Sequence, residues 1–335
     1  MSGSAHAAPR LSAGAILLIE LALALGGFAI GTSEFSIMGL MPNVAQDLGV
    51  SEPQVGHVIS SYALGVVVGA PVLALLGSRL LRKHLLLLLM GVFAVGNLAS
   101  ALAPDYLTLM MFRFFAGLPH GAYFGVAMLV AASMAAPHKR AKAVSRVLMG
   151  LSVAILIGNP LATWLGQSVS WRYAFALVSV IALATVAMIA LLLPVDRSEV
   201  RSSPISELRA FNRAPIWLAL GIGSIGFAGM FCVFSYMAPT LLEVTRVSPG
   251  MIPVAMAIFG VGCILGNMAG GWLFDRLQFK SVAWILLWSA LVLLVLPVAT
   301  QSIWTMLPAI LALGTIAALS PALQTHLCLL YTSDA

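Results

Sequence analysis

Apolar segments long enough to cross a membrane follow one another along almost the whole of this 335-residue chain. A spanning helix needs about 20 consecutive, mostly apolar residues. Charged residues make up only 8% of the chain, against about 25% in soluble domains. We therefore predict an all-α integral membrane protein. The ten predicted spans lie at roughly 15–41, 54–78, 84–104, 106–134, 143–168, 172–194, 214–242, 250–274, 281–300 and 303–326.

The positions of the basic residues predict an orientation. With the N-terminus in the cytoplasm, 14 of the 17 Lys and Arg residues fall on the cytoplasmic side. Arg172 and Arg246 fall outside, and Arg113 lies within a helix. Because cytoplasmic loops of membrane proteins carry an excess of Lys and Arg, we expect a multi-pass protein of the bacterial inner membrane with a cytoplasmic N-terminus.

An internal repeat divides the chain into two similar halves. Gly27-Phe28 returns as Gly226-Phe227 after 199 residues, and Ser78-Arg79 corresponds to Asp275-Arg276 after 197. Parallel repeats of this kind are typical of transporters built from two bundles. The predicted division is an N-terminal six-helix bundle at 1–194, a basic cytoplasmic linker at 195–213 and an incomplete C-terminal bundle of about four helices at 214–335.

The repeat also predicts that two helices are missing. A full copy of the first half would end near position 391, about 56 residues beyond Ala335. We therefore expect about ten of twelve helices in this chain. A ten-helix protein and an inactive fragment remain as alternatives.

Two polar loops carry a recognisable pattern. The loop Ala74–Lys83 resembles the G-x-L-a-D-R-x-G-R-K signature of the major facilitator superfamily, although Ser78 stands in place of its Asp. The copy Gly271–Lys280 is closer to the signature because it keeps the Asp. The resemblance implies two six-helix bundles and a gating role for these loops. The candidate gating residues are Arg79, Arg82, Lys83, Asp275, Arg276 and Lys280.

Two helices carry small residues at four-residue spacing. The fourth helix reads Arg113-x-x-x-Gly117-x-x-x-Gly121, which resembles an R-x-x-x-G-x-x-x-G motif of the same superfamily. The fifth helix resembles the antiporter motif of proton-coupled exporters, with plain helix packing as the alternative. Its residues are Gly150, Ala154, Gly158, Pro160, Ala162 and Gly166.

The segments Thr32–Gly39 and His57–Pro71 resemble the arabinose-efflux-permease-like group of bacterial drug:proton antiporters. This resemblance implies a monomer that exports a sugar, a drug or a similar small molecule in exchange for protons. An uptake symporter or a facilitator remains an alternative. No P-loop appears in the sequence, and no intramembrane cluster of His, Asp and Glu has metal-ligand spacing. We expect no enzymatic activity, no cofactor, no metal and no nucleic-acid partner.

Ionisable residues inside a bilayer are costly, so they are functional candidates. Glu34 and Arg113 each lie seven residues from the outer end of their predicted helix, hence roughly 10 Å deep. His120 is seven residues beyond Arg113 and so shares its face. We predict that these three residues couple transport to protons. The alternative is a fixed Glu34–Arg113 ion pair with His120 hydrogen-bonded in the packing. Glu20 lies close to the cytoplasmic end of the first helix, and we predict that it is a solvated helix-end residue.

Substrate contacts in a two-bundle transporter are expected on the first, fourth, seventh and tenth helices near the midplane, and one candidate falls in the predicted eighth span. Aromatic residues in membrane helices are also common in plain packing, so each candidate has that alternative. The predicted lining is apolar with sparse polar groups, which suits a compact and moderately amphipathic solute. The candidates are Phe28, Tyr123, Phe231, Tyr236, Asn267 and Gln324.

Overall fold

The computed structural model describes residues 12–77, 79–136, 139–195 and 214–323. These residues form helices and no strands. Ten helices are long and apolar enough to span a membrane, which confirms the predicted all-α architecture. We name them α1 to α10: Ala13–Gly39, Glu52–Gly77, Arg82–Ala101, Tyr106–Met134, Arg140–Ser168, Trp171–Leu192, Ala214–Ser235, Met251–Leu277, Lys280–Ala299 and Ile303–Leu323.

Some spans consist of more than one helical segment, and in α4 the second segment begins at a proline. In α4, the segment Tyr106–Gly117 is followed by a second segment that starts at Pro119. Proline suits the first turn of a helix because its missing N–H is not needed there. The seventh predicted span is too long, because α7 ends at Ser235 and a π-helical segment, Thr240–Val244, follows it.

Glycines bring neighbouring helices of each bundle into close contact. A Cβ placed on Gly117 of α4 would lie 2.2 Å from the carbonyl oxygen of Tyr62 in α2. A Cβ on Gly262 of α8 would lie 2.3 Å from the carbonyl oxygen of Leu311 in α10. Since no side chain fits at such distances, α2 packs on α4 as α8 packs on α10. The two halves of the sequence repeat therefore share one packing arrangement.

Contacts between the two bundles lie in one half of the membrane. We call the surface formed by the start of α1, the end of α4 and the end of α8 the basic side, because most Lys and Arg residues lie there. A buried core that contains Phe35, Phe234 and Phe259 joins the bundles towards the opposite side. Towards the basic side, the buried cores of the two bundles are separate in the described residues. The buried core shared by both bundles therefore lies away from the basic side, and we call the region where their cores are separate the cleft.

The central contact between the bundles depends on Gly260 of α8. A Cβ on Gly260 would lie 2.7 Å from Cα of Leu156 in α5. At this level α5 adopts a π-helical turn, Ala154–Gly158, just before Pro160. Such turns are rare and bend a helix. The π-turn of α5 therefore lies just before Pro160 and faces the other bundle.

An ion pair closes the N-terminal bundle on the side opposite to the basic side. Asp47, in the short helix Met41–Leu48, pairs with Arg172 at the start of α6. The Trp171 indole N–H also donates to Asp47, at 3.0 Å. The hydrogen bonds from Arg172 and Trp171 hold the pKa of Asp47 below its ordinary value. Ionised Asp47 therefore stabilises the folded protein above its ordinary pKa, and this stability disappears as the pH falls through the lowered pKa.

We predict that Asp47→Asn lowers the unfolding temperature at neutral pH. The difference from the parent protein should shrink as the pH falls below about 4, the ordinary pKa of an aspartate. Thermal unfolding of both proteins in detergent across this pH range measures the effect. A difference that stays constant with pH would contradict the assignment to this ion pair.

We also predict that Gly260→Val weakens the closure between the bundles. Overpacking of this kind costs about 1–3 kcal/mol, which corresponds to a population shift of about 5- to 150-fold. The measurement is the alkylation rate of a reporter, Ala255→Cys, in a background without native cysteines, since Ala255 is fully buried. The matched control is Gly271→Val in the same helix, because a Cβ there meets no atom within 4 Å. Equal rates in both variants would disprove the role of Gly260.

Candidate functional site

A fully buried arginine lies at the centre of the N-terminal bundle. Arg113 of α4 has no exposed surface. Its two terminal nitrogens donate to Ser33 of α1, one to the hydroxyl at 2.8 Å and one to the carbonyl oxygen at 3.0 Å. The guanidinium carbon lies 4.3 Å from the ring centroid of Tyr62 and 4.9 Å from that of Phe175. Two oxygen atoms and two aromatic rings thus surround the charge.

An asparagine completes the polar contacts of this site. The Ser33 hydroxyl donates to Oδ1 of Asn97 in α3 at 2.6 Å, while it accepts from Arg113. The Asn97 amide donates in turn to the carbonyl oxygen of Phe93 at 2.9 Å. Ser33 and Asn97 are both fully buried. The two terminal nitrogens of Arg113, the Ser33 hydroxyl and the Asn97 amide therefore each donate to an acceptor, and the orientation of Ser33 is determined from both sides.

Glu34 lies next to this network but does not join it. The predicted ion pair between Glu34 and Arg113 is not formed in the described residues, although the two charges attract each other. Both terminal nitrogens of the guanidinium instead donate to Ser33. The Glu34 side chain is half-buried, and its carboxylate makes no hydrogen bond to any described residue. The buried Nε of Arg113 also has no partner among them.

His120 connects to the same site through Tyr62. The Tyr62 hydroxyl and Nδ1 of His120 share a hydrogen bond of 3.1 Å. The His120 ring also packs against Phe124, with 5.5 Å between ring centroids. Because the Tyr62 ring stacks on Arg113, one tyrosine links the two ionisable residues of α4. The structure thus places Glu34, Arg113 and His120 around Tyr62, and their role in proton coupling stays a prediction.

Sequence reasoning missed four residues of this site, namely Ser33, Tyr62, Asn97 and Phe175. Ser33 and Tyr62 belong to the two segments that resemble the antiporter group, so the sequence could have identified them as candidates. Asn97 could also have been found, because it is the one amide in the apolar helix α3. Nothing in the sequence marks Phe175 among the many apolar residues of α6.

Three of the predicted substrate-lining residues lie at or near the cleft. Phe28 is half-buried and contacts α5 beside Gly158. Phe231 of α7 stacks on Phe35 of α1, with ring centroids 6.1 Å apart. Asn267 of α8 is exposed and lies seven residues beyond Gly260, hence on the face that meets the other bundle. These positions are compatible with substrate contact from the basic side.

The other lining candidates lie elsewhere in this structure. Tyr123 is fully buried, and its hydroxyl donates to the carbonyl oxygen of Leu23 at 2.8 Å because Gly26 leaves room for the ring. Tyr236 lies beyond the end of α7, where its hydroxyl is next to Gly56 of α2. Tyr123 therefore packs α4 against α1, and Tyr236 contributes to the closure between bundles. Gln324 falls outside the described residues.

The small residues of α5 pack within the N-terminal bundle. A Cβ on Gly150 would lie 1.9 Å from the carbonyl oxygen of Ala24, and one on Gly158 would lie 2.3 Å from the Thr32 hydroxyl. Gly166 likewise contacts Leu40. This stripe therefore packs α5 on α1, which is the plain packing alternative, while the π-turn before Pro160 faces α8.

The predicted gating residues lie on the basic side. Lys83 donates to the carbonyl oxygen of Ala190 at 2.7 Å, and Arg276 stacks on Trp272 at 4.2 Å. Asp275 is exposed and forms no ion pair with a described residue. The remaining residues of the set, which lie at the same surface, are Arg79, Arg82 and Lys280. Within the described ranges, no three His, Cys, Asp or Glu residues cluster as metal ligands.

We predict that Arg113→Lys destabilises the protein. An ammonium group cannot donate to both Ser33 oxygens in the planar geometry of a guanidinium or stack on two rings. Each buried group left without a partner costs about 1–3 kcal/mol, so the unfolding temperature in detergent should fall clearly. The control is Arg140→Lys at an exposed position of α5. Equal unfolding temperatures for the two variants would show that the Ser33 contacts contribute little.

Comparison with known proteins agrees with this architecture. Residues 23–334 match the sequence model of the Major Facilitator Superfamily. The chain is 40% identical over 279 residues to the inner membrane transport protein YdhP of Escherichia coli (strain K12), covering 83% of this chain and 71% of YdhP. It is 32% identical over 281 residues to a chloramphenicol resistance protein of Streptomyces lividans, covering 81% and 72%. Its fold is similar to the crystal structure of a bacterial homolog of the human lysosomal transporter Spinster, with a TM-score of 0.76, 19% identity and coverage of 94% and 76%. The chain therefore belongs to the Major Facilitator Superfamily, whose members are membrane transporters and not enzymes.

Proposed function

We propose that this chain is a secondary active transporter that exports a small molecule in exchange for protons, with its N-terminus in the cytoplasm. The observation that carries the proposal is the Glu34 carboxylate, which lies within the membrane, half-buried and without a hydrogen bond to any described residue. A sugar or a drug is the substrate class that we favour. The chloramphenicol resistance protein among its relatives supports this class.

The distribution of charge supports the orientation. On the basic side, Lys139, Arg140 and Lys142 follow one another at the start of α5. On the opposite side, Arg172 pairs with Asp47 and is thus neutralised. Because positive loops remain in the cytoplasm, the basic side is the cytoplasmic side. With this orientation, the region where the buried cores are separate faces the cytoplasm, which supports the proposal of an inward-facing state.

Alternating access follows from the position of the bundle contacts. The bundles meet at Gly260 and at the stacked rings of Phe35 and Phe231. Rocking about such contacts would close the cytoplasmic side and open the other, as in transporters built from two repeats. The exposed Asp275 is available in this state for a contact that would lock the cytoplasmic side when it closes.

Proton coupling is the role we assign to Glu34, Arg113 and His120. A charged carboxylate without partners is costly inside a membrane, so a proton is its simplest means of neutralisation. If Arg113 left Ser33 and contacted Glu34 in another conformation, the attraction would favour the ionised carboxylate and release the proton. Substrate that shifts this contact would then exchange for a proton. His120 can follow the same movement through Tyr62.

We predict that Glu34→Gln abolishes proton-driven transport, because the amide cannot release a proton. Everted membrane vesicles energised by a proton gradient provide the measurement, with radiolabelled chloramphenicol and arabinose as probes. With equal pH on both sides of the membrane, exchange of labelled for unlabelled probe should persist in the variant, because this exchange requires no net movement of protons.

The matched control is Glu243→Gln, which removes an exposed carboxylate at the far end of the C-terminal bundle. This variant should transport as the parent protein does. Gradient-driven accumulation that is unchanged in Glu34→Gln would refute the coupling role. A transport rate that does not change when the proton gradient is collapsed would favour a facilitator. Accumulation of the probe in right-side-out vesicles would favour an uptake symporter.

A further inference from the structure

A pocket lies at the basic side, away from the Glu34, Arg113 and His120 site. It is enclosed by the start of α1, the end of α4 and the start of α5, and its volume is about 450 Å³. One wall carries Lys139, Lys142 and Arg146, and the other carries Ile16, Leu17 and Glu20. The pocket therefore combines a cationic wall with a largely apolar wall.

The cationic wall follows from helical spacing. Lys139, Lys142 and Arg146 are separated by three and four residues, so they share one face at the start of α5. Arg146 is neutralised by an ion pair with Glu20, which is buried, so the prediction that Glu20 is solvated is wrong. Lys139 and Lys142 are exposed and form no ion pair with a described residue. Two positive charges thus remain available at the mouth of the pocket.

The apolar wall continues along α1 into the membrane. Leu17 lines the pocket and is 42% exposed, and Leu18 and Leu21 in the adjoining turn are 49% and 48% exposed. Leu17 and Leu21 are four residues apart and lie on one face of the helix. An exposed apolar strip therefore begins where the cationic wall ends.

We propose that this pocket binds an acidic phospholipid, with its phosphate group at Lys139 and Lys142 and an acyl chain along Leu17 and Leu21. Basic pockets between helices at a membrane surface are suited to anionic headgroups. The ion pair between Glu20 and Arg146 forms the polar floor and prevents Glu20 from repelling the phosphate. A bound lipid would join α1 to α5, the two helices that pack through Gly150. The proposal does not rest on the direction of transport or on proton coupling.

A soluble phosphate ester shares the phosphate chemistry, but it would make no use of the leucine strip. The lipid is therefore expected to bind much more tightly than its soluble headgroup. Non-specific attraction of lipids to a basic surface can also be distinguished from binding in the pocket. Such attraction depends on the number of charges and not on whether they line the pocket.

The test is equilibrium binding of a fluorescent phosphatidylglycerol to the full chain in detergent. Saturable binding is expected, with competition by unlabelled phosphatidylglycerol and little competition by phosphatidylcholine or glycerol phosphate. Lys139→Gln and Lys142→Gln should each weaken binding roughly fivefold, the usual effect of one basic residue. Ala136→Trp, which obstructs the mouth without a change in charge, should weaken it as well.

The matched control is Arg140→Gln, which removes the same charge beside Lys139 but outside the pocket. It should bind the lipid nearly as the parent protein does. Equal losses in Arg140→Gln and Lys142→Gln would overturn the proposal in favour of general surface attraction. Glycerol phosphate that competes as well as the lipid would overturn the assignment of a lipid. Unfolding temperatures of all variants establish that they are folded.

Discussion

The hydrogen bonds between Arg113 and Ser33 are the interaction on which the N-terminal bundle depends. A guanidinium without exposed surface is tolerated inside a membrane protein only when polar groups replace its hydration. The polar groups and aromatic rings of this site come from different helices: Ser33 from α1, Tyr62 from α2, Asn97 from α3 and Phe175 from α6. One buried charge therefore determines how five helices are arranged.

The state of Glu34 is a consequence of this arrangement. Because Ser33 satisfies the terminal nitrogens of Arg113, the neighbouring carboxylate has an attractive charge nearby but no contact with it. The Glu34 carboxylate and the Arg113 Nε both lack a hydrogen bond to a described residue. A second arrangement in which they meet requires only that the guanidinium exchange one partner for another, which suits a switch between two states.

The contacts between the bundles involve different groups from the contacts within each bundle. Within each bundle, glycines let helices approach until backbone touches backbone, as at Gly117 and Gly262. Between the bundles, one glycine, Gly260, meets the π-turn of α5, and aromatic rings fill the remaining space. Rigid bundles joined by a limited interface are able to rock as units. The stripe of small residues on α5 could be predicted from its spacing, but which neighbour it meets could not.

The sequence by itself determined the ten spans, the repeat offset between the two halves and the depth of the ionisable residues Glu34, Arg113 and His120 within their spans. These features depend on hydropathy, repeat offset and helical rise, all of which are local properties. Only the tertiary structure decided that Arg113 binds Ser33 and not Glu34, that Tyr123 is buried against α1 and that Tyr236 belongs to the closure. The physical reason is that a side chain several ångströms long can reach several partners at one depth, and the choice depends on how neighbouring helices are rotated and spaced.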